Sequence, residues 1–161
     1  MRGRTAPLLT CLLAVPALAL APVAEPKVGD TMSLSGTNSG EMLDVTVSKV
    51  VDPARSADFF TPSAGQHYVS VRFRLKNTGT AVYKDSPSNG ATVIDKAGQR
   101  FTATVANTAA GPEFPGSVTI RPGKSALGFI TFEVADGSRV VTVQFAMNSG
   151  FSDDVGEWSV P

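Results

Sequence analysis

The sequence predicts an all-β protein built as an antiparallel sandwich. Apolar residues occupy every second position across 69–75, where Val69, Val71, Phe73 and Leu75 alternate with polar residues. This period is typical of a strand with one buried face and one face in water. Similar segments recur at short intervals between Gly, Pro, Asn and Asp turns, and no parallel βαβ rhythm interrupts them. Together these observations favour two packed antiparallel layers.

The alternation is repeated along the chain and predicts about eight strands, with no convincing helix. The candidate segments are 31–34, 43–51, 69–75, 91–94, 99–105, 118–120, 126–134 and 141–147, and 157–160 can add a last short strand.

The turns between these segments have their own sequence signals. We expect Pro53 to end the second strand, and we expect a hairpin over 95–98 with Gly98 at a positive φ. The stretch 82–90 has no period and is predicted to be irregular. Two longer connections, 52–64 and 107–116, are of the length at which loops are often functional or packed as lids.

Composition limits the classes of protein that the chain can be. It has 161 residues, one cysteine, and fourteen acidic against fourteen basic side chains. That length suits a single domain with one core. A net charge near zero argues against a dedicated nucleic-acid binder, which normally carries a clustered basic excess.

The N-terminal stretch has the pattern of a secretory signal peptide. Two arginines precede the apolar run 8–21, which ends in small residues. We predict a leader over 1–24 cleaved between about 19 and 24, a tether over 25–27, and one domain over 28–161. An uncleaved leader is the alternative. Lipidation of Cys11 is a weaker alternative, because the apolar run continues well beyond it; once the leader is removed, no cysteine remains for a disulfide.

Several motifs together resemble a known group of exported domains. They are Val-Arg-Phe-Arg-Leu-Lys-Asn-Thr-Gly at 71–79, the hairpin at 94–101, the segment 120–134, and the tail at 145–150 with Trp158. The sequence resembles Gram-positive exported domains of unknown function with a telokin-like sandwich, and is similar to the mycobacterial immunoprotective extracellular antigen family. The resemblance implies secretion and an immunoglobulin-like fold. It implies no activity and no functional residues.

The sequence contains few candidate catalytic residues. His67 is the single histidine, and a Ser-His-Asp or Cys-His arrangement would need it as the base. No Gly-x-Ser-x-Gly elbow accompanies it, so we interpret His67 as a residue at a strand edge. One histidine without a mature cysteine also argues against a zinc site. We therefore expect no enzyme activity and no cofactor.

The densest acidic group is Asp153, Asp154 and Glu157 near the C-terminus. The ordinary interpretation is a solvated loop before the last strand. The alternative is a calcium site built from these oxygens and backbone carbonyls, since calcium prefers oxygen ligands. Paired carboxylates could also serve a glycosidase, which we regard as the least favoured of the three.

Positive charge is concentrated on one face of the central segment. Arg72, Arg74 and Lys76 alternate with its apolar residues and should share the outward face. We expect them to pair with cross-strand carboxylates such as Glu133 and to discourage edge-to-edge association. The alternative is a face that binds an anionic partner such as a wall polymer or a lipid surface.

Two adjacent phenylalanines, Phe59 and Phe60, lie in a proline-bounded loop. Exposed aromatic side chains are costly, so we expect this loop to fold back and cap the open end of the sandwich. Otherwise the two side chains would contact a protein partner together with Phe114 from the other long loop.

The sequence thus predicts a secreted, non-catalytic, immunoglobulin-like domain that acts as an extracellular interaction module. The expected partner is an extracellular protein or cell-surface component of unknown identity. Nucleic acid and a membrane span after processing are not expected. The alternative from another class is a calcium-binding or cell-wall-glycan-binding module.

Overall fold

The described part of the chain contains ten β-strands and two single helical turns. The computed structural model describes residues 24–161, so the predicted leader and Cys11 lie outside the described residues. The strands are β1 (Thr31–Ser35), β2 (Met42–Ala54), β3 (Gln66–Asn77), β4 (Tyr83–Asp85), β5 (Ala91–Asp95), β6 (Arg100–Thr104), β7 (Val118–Ile120), β8 (Ser125–Ala135), β9 (Val140–Ala146) and β10 (Val155–Ser159). Helix α1 (Pro87–Gly90) and a 3₁₀ turn (Asn148–Gly150) complete the set.

Eight of the strands form one antiparallel ladder in the order β1-β2-β3-β8-β6-β5-β9-β10, and β4 pairs separately with β7. The ladder folds over itself, so that strands distant in this order face each other across the core. The Phe73 ring on β3 and the Phe145 ring on β9 lie 5.6 Å apart between centroids. The predicted antiparallel, immunoglobulin-like β-sandwich without a disulfide is confirmed.

Strand β3 is the centre of one layer. It pairs with β2 on one side and with β8 along almost its whole length on the other. Its alternating apolar residues, Val69, Val71, Phe73 and Leu75, are fully buried. Each such side chain stabilises the fold by about 1.5–3 kcal/mol through the loss of apolar surface from water. The period-2 alternation in 69–75 therefore marks the core strand, as predicted.

The two ends of the ladder meet near Trp158. The Trp158 side chain is fully buried, and its indole N–H donates to the carbonyl of Asp30 at 3.0 Å. Nearby, the Ser35 amide of β1 donates to the Asp154 carboxylate at 2.8 Å, next to β10. These contacts join the first and last strands, so neither end of the ladder is left fully open.

Two local predictions are wrong. The stretch 82–90 is not irregular, because it forms β4 and the single helical turn α1. Strand β2 does not end at Pro53 but continues to Ala54, opposite Tyr68, after a shift of register. Within the predicted tether, the Pro26 carbonyl accepts from the Ser159 amide at 2.9 Å, so this segment contacts the last strand.

Candidate functional site

The outer face of β3 and β8 is covered by residues 105–116, called the cover loop below. Its attachment resembles a short extra strand: the Phe114 amide donates to the Phe129 carbonyl at 3.0 Å, and the Phe129 amide donates to the Pro112 carbonyl at 2.9 Å. Gly128 makes this close approach possible. A Cβ at Gly128 would lie 2.8 Å from Cγ of Phe114 and 2.9 Å from its backbone nitrogen.

Beneath the cover loop lies a chain of buried hydroxyl groups. The Ser70 Oγ is 2.8 Å from Thr108 Oγ1 and 2.8 Å from Thr131 Oγ1. The Thr131 hydroxyl donates to the Glu113 carboxylate at 2.6 Å. The alternation in 69–75 places Ser70, between Val69 and Val71, on the face predicted to meet water. That prediction is wrong for Ser70, because the cover loop removes this part of the face from solvent.

Glu113 is a half-buried carboxyl group that borders a small cavity. Burial raises the pKa of Glu113, although its hydrogen bond from Thr131 acts in the opposite direction. The cavity has a volume of about 230 Å³ and lies between the cover loop, β8, the end of β6 and α1. A titratable side chain with a raised pKa in a cleft is a candidate functional group.

The loop of residues 55–60, called the Phe loop below, is held by the cover loop. The Ala57 amide donates to the Asn107 carbonyl at 2.9 Å, and the Asn107 side-chain amide donates to the Asp58 carboxylate at 2.8 Å. That amide, with the backbone amide of Phe60, lowers the pKa of Asp58. The backbone of the Phe loop is therefore fixed by hydrogen bonds.

The side chains of Phe59 and Phe60 point into solvent, with 91% and 60% of their surface exposed. Their ring centroids are 5.9 Å apart, so they form one aromatic pair. Val105, at the start of the cover loop, is fully exposed. The prediction that Phe59 and Phe60 fold back to cap the sandwich is wrong, because the loop is held through its backbone and through Asp58 rather than by burying the rings.

Phe114 does not join the exposed pair. Its ring is partly buried against the core and lines the cavity beside Glu113. A contact surface built from Phe59, Phe60 and Phe114 together is therefore not what the fold presents. The exposed pair on the Phe loop and the cavity under the cover loop are therefore two separate features.

Of the three basic side chains on the outward face of β3, one is engaged in contacts and two are exposed. Arg72 donates from Nε to the Ser48 hydroxyl at 2.9 Å, and its guanidinium lies 6.0 Å from the centre of the Phe129 ring. Arg74 and Lys76 are exposed on the outward face, as predicted. Glu133 does not pair with these cations, because it lies opposite Tyr68, towards the other end of β3.

The structure does not bring Asp153, Asp154 and Glu157 together. The Asp154 carboxylate accepts from the Ser35 amide, while Glu157 lies on β10 and accepts from the Gln144 side chain. Among residues 24–161, no group of three or more His, Cys, Asp or Glu side chains is placed to hold a metal ion.

His67 lies between two carboxylates at the start of β3. Its Nε2 is 2.9 Å from an Asp52 oxygen, and its Nδ1 is 3.5 Å from an Asp136 oxygen. Asp52 also borders a wider depression of about 530 Å³ that includes Arg139. The predicted location of His67 near a strand end is confirmed.

Sequence reasoning missed Glu113 and Thr108, which define the covered site. The one available signal was a single glutamate in a loop otherwise rich in Ala, Gly and Pro. Nothing in the local pattern indicated that this loop would lie over Ser70 and Thr131, because that contact depends on how the sandwich closes.

Fold and site together define a small immunoglobulin-like β-sandwich whose distinctive side chains lie on its loops and outer face. The family follows from the sequence, since the model of DUF4352, a domain of unknown function, matches residues 29–155. The chain belongs to this family. No curated protein matches it.

Solved structures share the fold. The ycdA protein of Bacillus subtilis aligns with a TM-score of 0.60 and 19% identity over 84% of this chain, which spans only 39% of that protein. The secreted protein MPT63 of Mycobacterium tuberculosis aligns at 0.58 and 18% identity over 88% of this chain and 100% of its own. The yjhA protein of Bacillus subtilis aligns at 0.51 and 18% identity, over 74% of this chain and 79% of its own.

At identities of 18–19%, these structural alignments show a common fold and no more.

None of the helices in residues 24–161 has the length and apolar character needed to cross a bilayer.

Proposed function

We propose that this chain is exported and acts as a non-catalytic module that binds another extracellular or cell-surface protein through the Phe loop. The observation that carries the proposal is the exposed aromatic pair, Phe59 and Phe60, on a backbone held by hydrogen bonds. Aromatic side chains are enriched at protein interfaces, and a fixed loop loses little conformational entropy on binding.

Export is supported by the leader pattern in 1–24 and by the structural likeness to a secreted mycobacterial protein. A binding role is supported by the division of labour in such folds, in which loops on a rigid sandwich carry recognition. The only histidine of the sequence contacts two carboxylates, Asp52 and Asp136, an arrangement that orients the ring without supplying a nucleophile.

The test is affinity capture from the envelope fraction and culture medium of the producing organism, followed by binding measurements with the purified captured protein. The variant Phe59→Ser/Phe60→Ser should weaken binding by at least about tenfold, because aromatic hot spots carry most of an interface's energy. It should change the free energy of unfolding by less than about 0.5 kcal/mol, since both side chains are exposed.

Phe151 provides a matched control, because it is 81% exposed and lies in the turn before β10. Phe151→Ser should leave binding unchanged. Equal binding by the double variant would contradict the proposal, as would an equal loss in Phe151→Ser. A captured ligand whose binding depends on Arg74 instead would favour the anionic wall-polymer alternative.

A further inference from the structure

The cavity under the cover loop combines an apolar lining with one carboxyl group. Phe114, Phe129 and Ile130 contribute to its walls, and Glu113 and Thr131 provide polar atoms. Pockets of this composition, mainly apolar with a few well-placed polar groups, are typical of small-molecule sites. A volume of about 230 Å³ corresponds to roughly eight water molecules in the liquid, so a ligand would have only about eight non-hydrogen atoms.

Glu113 lacks a compensating charge. Within residues 24–161, no Lys, Arg or His nitrogen lies within 4.0 Å of its carboxylate; the ion pairs found there are those of His67 with Asp52 and Asp136. Its protein partner is the Thr131 hydroxyl, which is itself bonded to Ser70. A half-buried carboxylate without a counter-ion is unfavourable, and a cation beside it would relieve that cost.

We propose that this cavity binds a small primary alkylammonium ion, with the ammonium group on the Glu113 carboxylate and the hydrocarbon chain against Phe114 and Phe129. An ammonium group has three donors and can reach the carboxylate at hydrogen-bond distance, whereas the rings provide apolar contact for the chain. The proposal does not rest on the function proposed for the Phe loop, although Asn107, which lines the cavity, also holds that loop.

Arg72 decides between two kinds of organic cation. Its guanidinium already lies 6.0 Å from the centre of the Phe129 ring, so a second cation on that ring would meet a like charge. A quaternary ammonium ion, which binds through aromatic faces and cannot donate a hydrogen bond, is therefore disfavoured. A primary ammonium ion, which binds through the carboxylate, suits the site.

The experiment is a titration of the isotope-labelled protein with n-butylammonium chloride, followed by backbone amide NMR near neutral pH and at constant ionic strength. Butylammonium should produce saturable shifts at Phe114, Phe129 and Thr131. Equimolar 1-butanol, which has the same hydrocarbon chain, and tetramethylammonium should bind at least about tenfold more weakly, since a charge-assisted hydrogen bond is lost. Equal binding of butylammonium and butanol, or shifts located elsewhere, would overturn the proposal.

Two matched variants complete the test. Glu113→Gln keeps the shape of the side chain and an oxygen acceptor for Thr131, and should weaken butylammonium binding by at least about tenfold. Glu157→Gln removes the same charge from exposed β10 and should leave binding unchanged. An unchanged affinity in Glu113→Gln overturns the proposal, and so does an equal loss in both variants.

The wild-type comparison of butylammonium with butanol does not depend on how Glu113→Gln folds. Failure of the proposed amine binding is also distinguishable from failure of the protein-binding function proposed for the Phe loop. Phe59→Ser/Phe60→Ser should retain amine binding, whereas Glu113→Gln should retain capture of the protein partner. Loss of amine binding in the double phenylalanine variant would count against a cavity site.

Discussion

Asn77, at the end of β3, makes three hydrogen bonds with its side chain. It is fully buried, and its Nδ2 donates to the carbonyls of Ala81 and Ile120 at 2.8 and 2.7 Å. Its Oδ1 accepts from the Gly79 amide at 2.9 Å. One side chain therefore joins the end of the central strand to the turn that follows it and to β7.

We expect Asn77→Ala to lower the free energy of unfolding by about 3 kcal/mol. Each lost hydrogen bond contributes about 1 kcal/mol net, and a polar group left buried without a partner costs about 1–3 kcal/mol. The upper end of that range is reduced because the Gly79 amide keeps a second acceptor, the Met42 carbonyl at 3.2 Å.

Urea unfolding of the purified protein, followed by tryptophan fluorescence, measures the change, because Trp158 is fully buried in the folded state. Asn38→Ala is the control: Asn38 is exposed, and the change should cost less than about 0.5 kcal/mol. Asn77→Asp should destabilise at neutral pH at least as much as Asn77→Ala, since its carboxylate would face two carbonyl oxygens. A loss below about 1 kcal/mol in Asn77→Ala would refute this reasoning.

Three further predictions concern the cover loop and a turn. Gly128→Ala should destabilise by about 1–3 kcal/mol in urea unfolding, because its Cβ would collide with Phe114; a neutral effect would contradict the packing. Burial raises the pKa of Glu113, so its contribution to stability is present in acid and lost as the pH rises through that pKa. Glu113→Gln should therefore gain stability relative to wild type as the pH rises through the raised pKa of Glu113. Hydrogen bonds from the Gln99 amide, Ser138 and the Ala97 amide lower the pKa of Asp95. Asp95→Asn should accordingly lose stability at neutral pH, and the loss should shrink in strong acid; pH-series melts check both carboxyl predictions.

The strands were predictable because their signal is local. Alternation in 69–75 places Val71 and Phe73 on one side of any extended segment, whatever the rest of the chain does. Gly98 likewise adopts the positive φ predicted for its hairpin, at 81°. Prediction from the local pattern failed where the structure depends on distant parts of the chain. Strand β4 is only three residues long, and Pro53 is accommodated within β2 by a register shift.

The candidate sites were predictable only in part. Phe59 and Phe60 stand out in the sequence, but their exposure depends on a contact between Asp58 and Asn107, which are separated by 49 positions. The outward orientation of the Arg74 side chain could be predicted from the alternation alone. The cavity at Glu113 left no signal in the sequence beyond a single glutamate in its loop, because its walls come from segments brought together only by folding.

The sequence by itself determined the strand period and the turns, since alternation and turn chemistry act over a few neighbouring residues, and it also determined the family. Only the tertiary structure decided that Ser70, on a face expected to be wet, meets Thr108 in the dry space under the cover loop. The physical reason is that burial is a property of two surfaces, and a strand's pattern specifies only one of them.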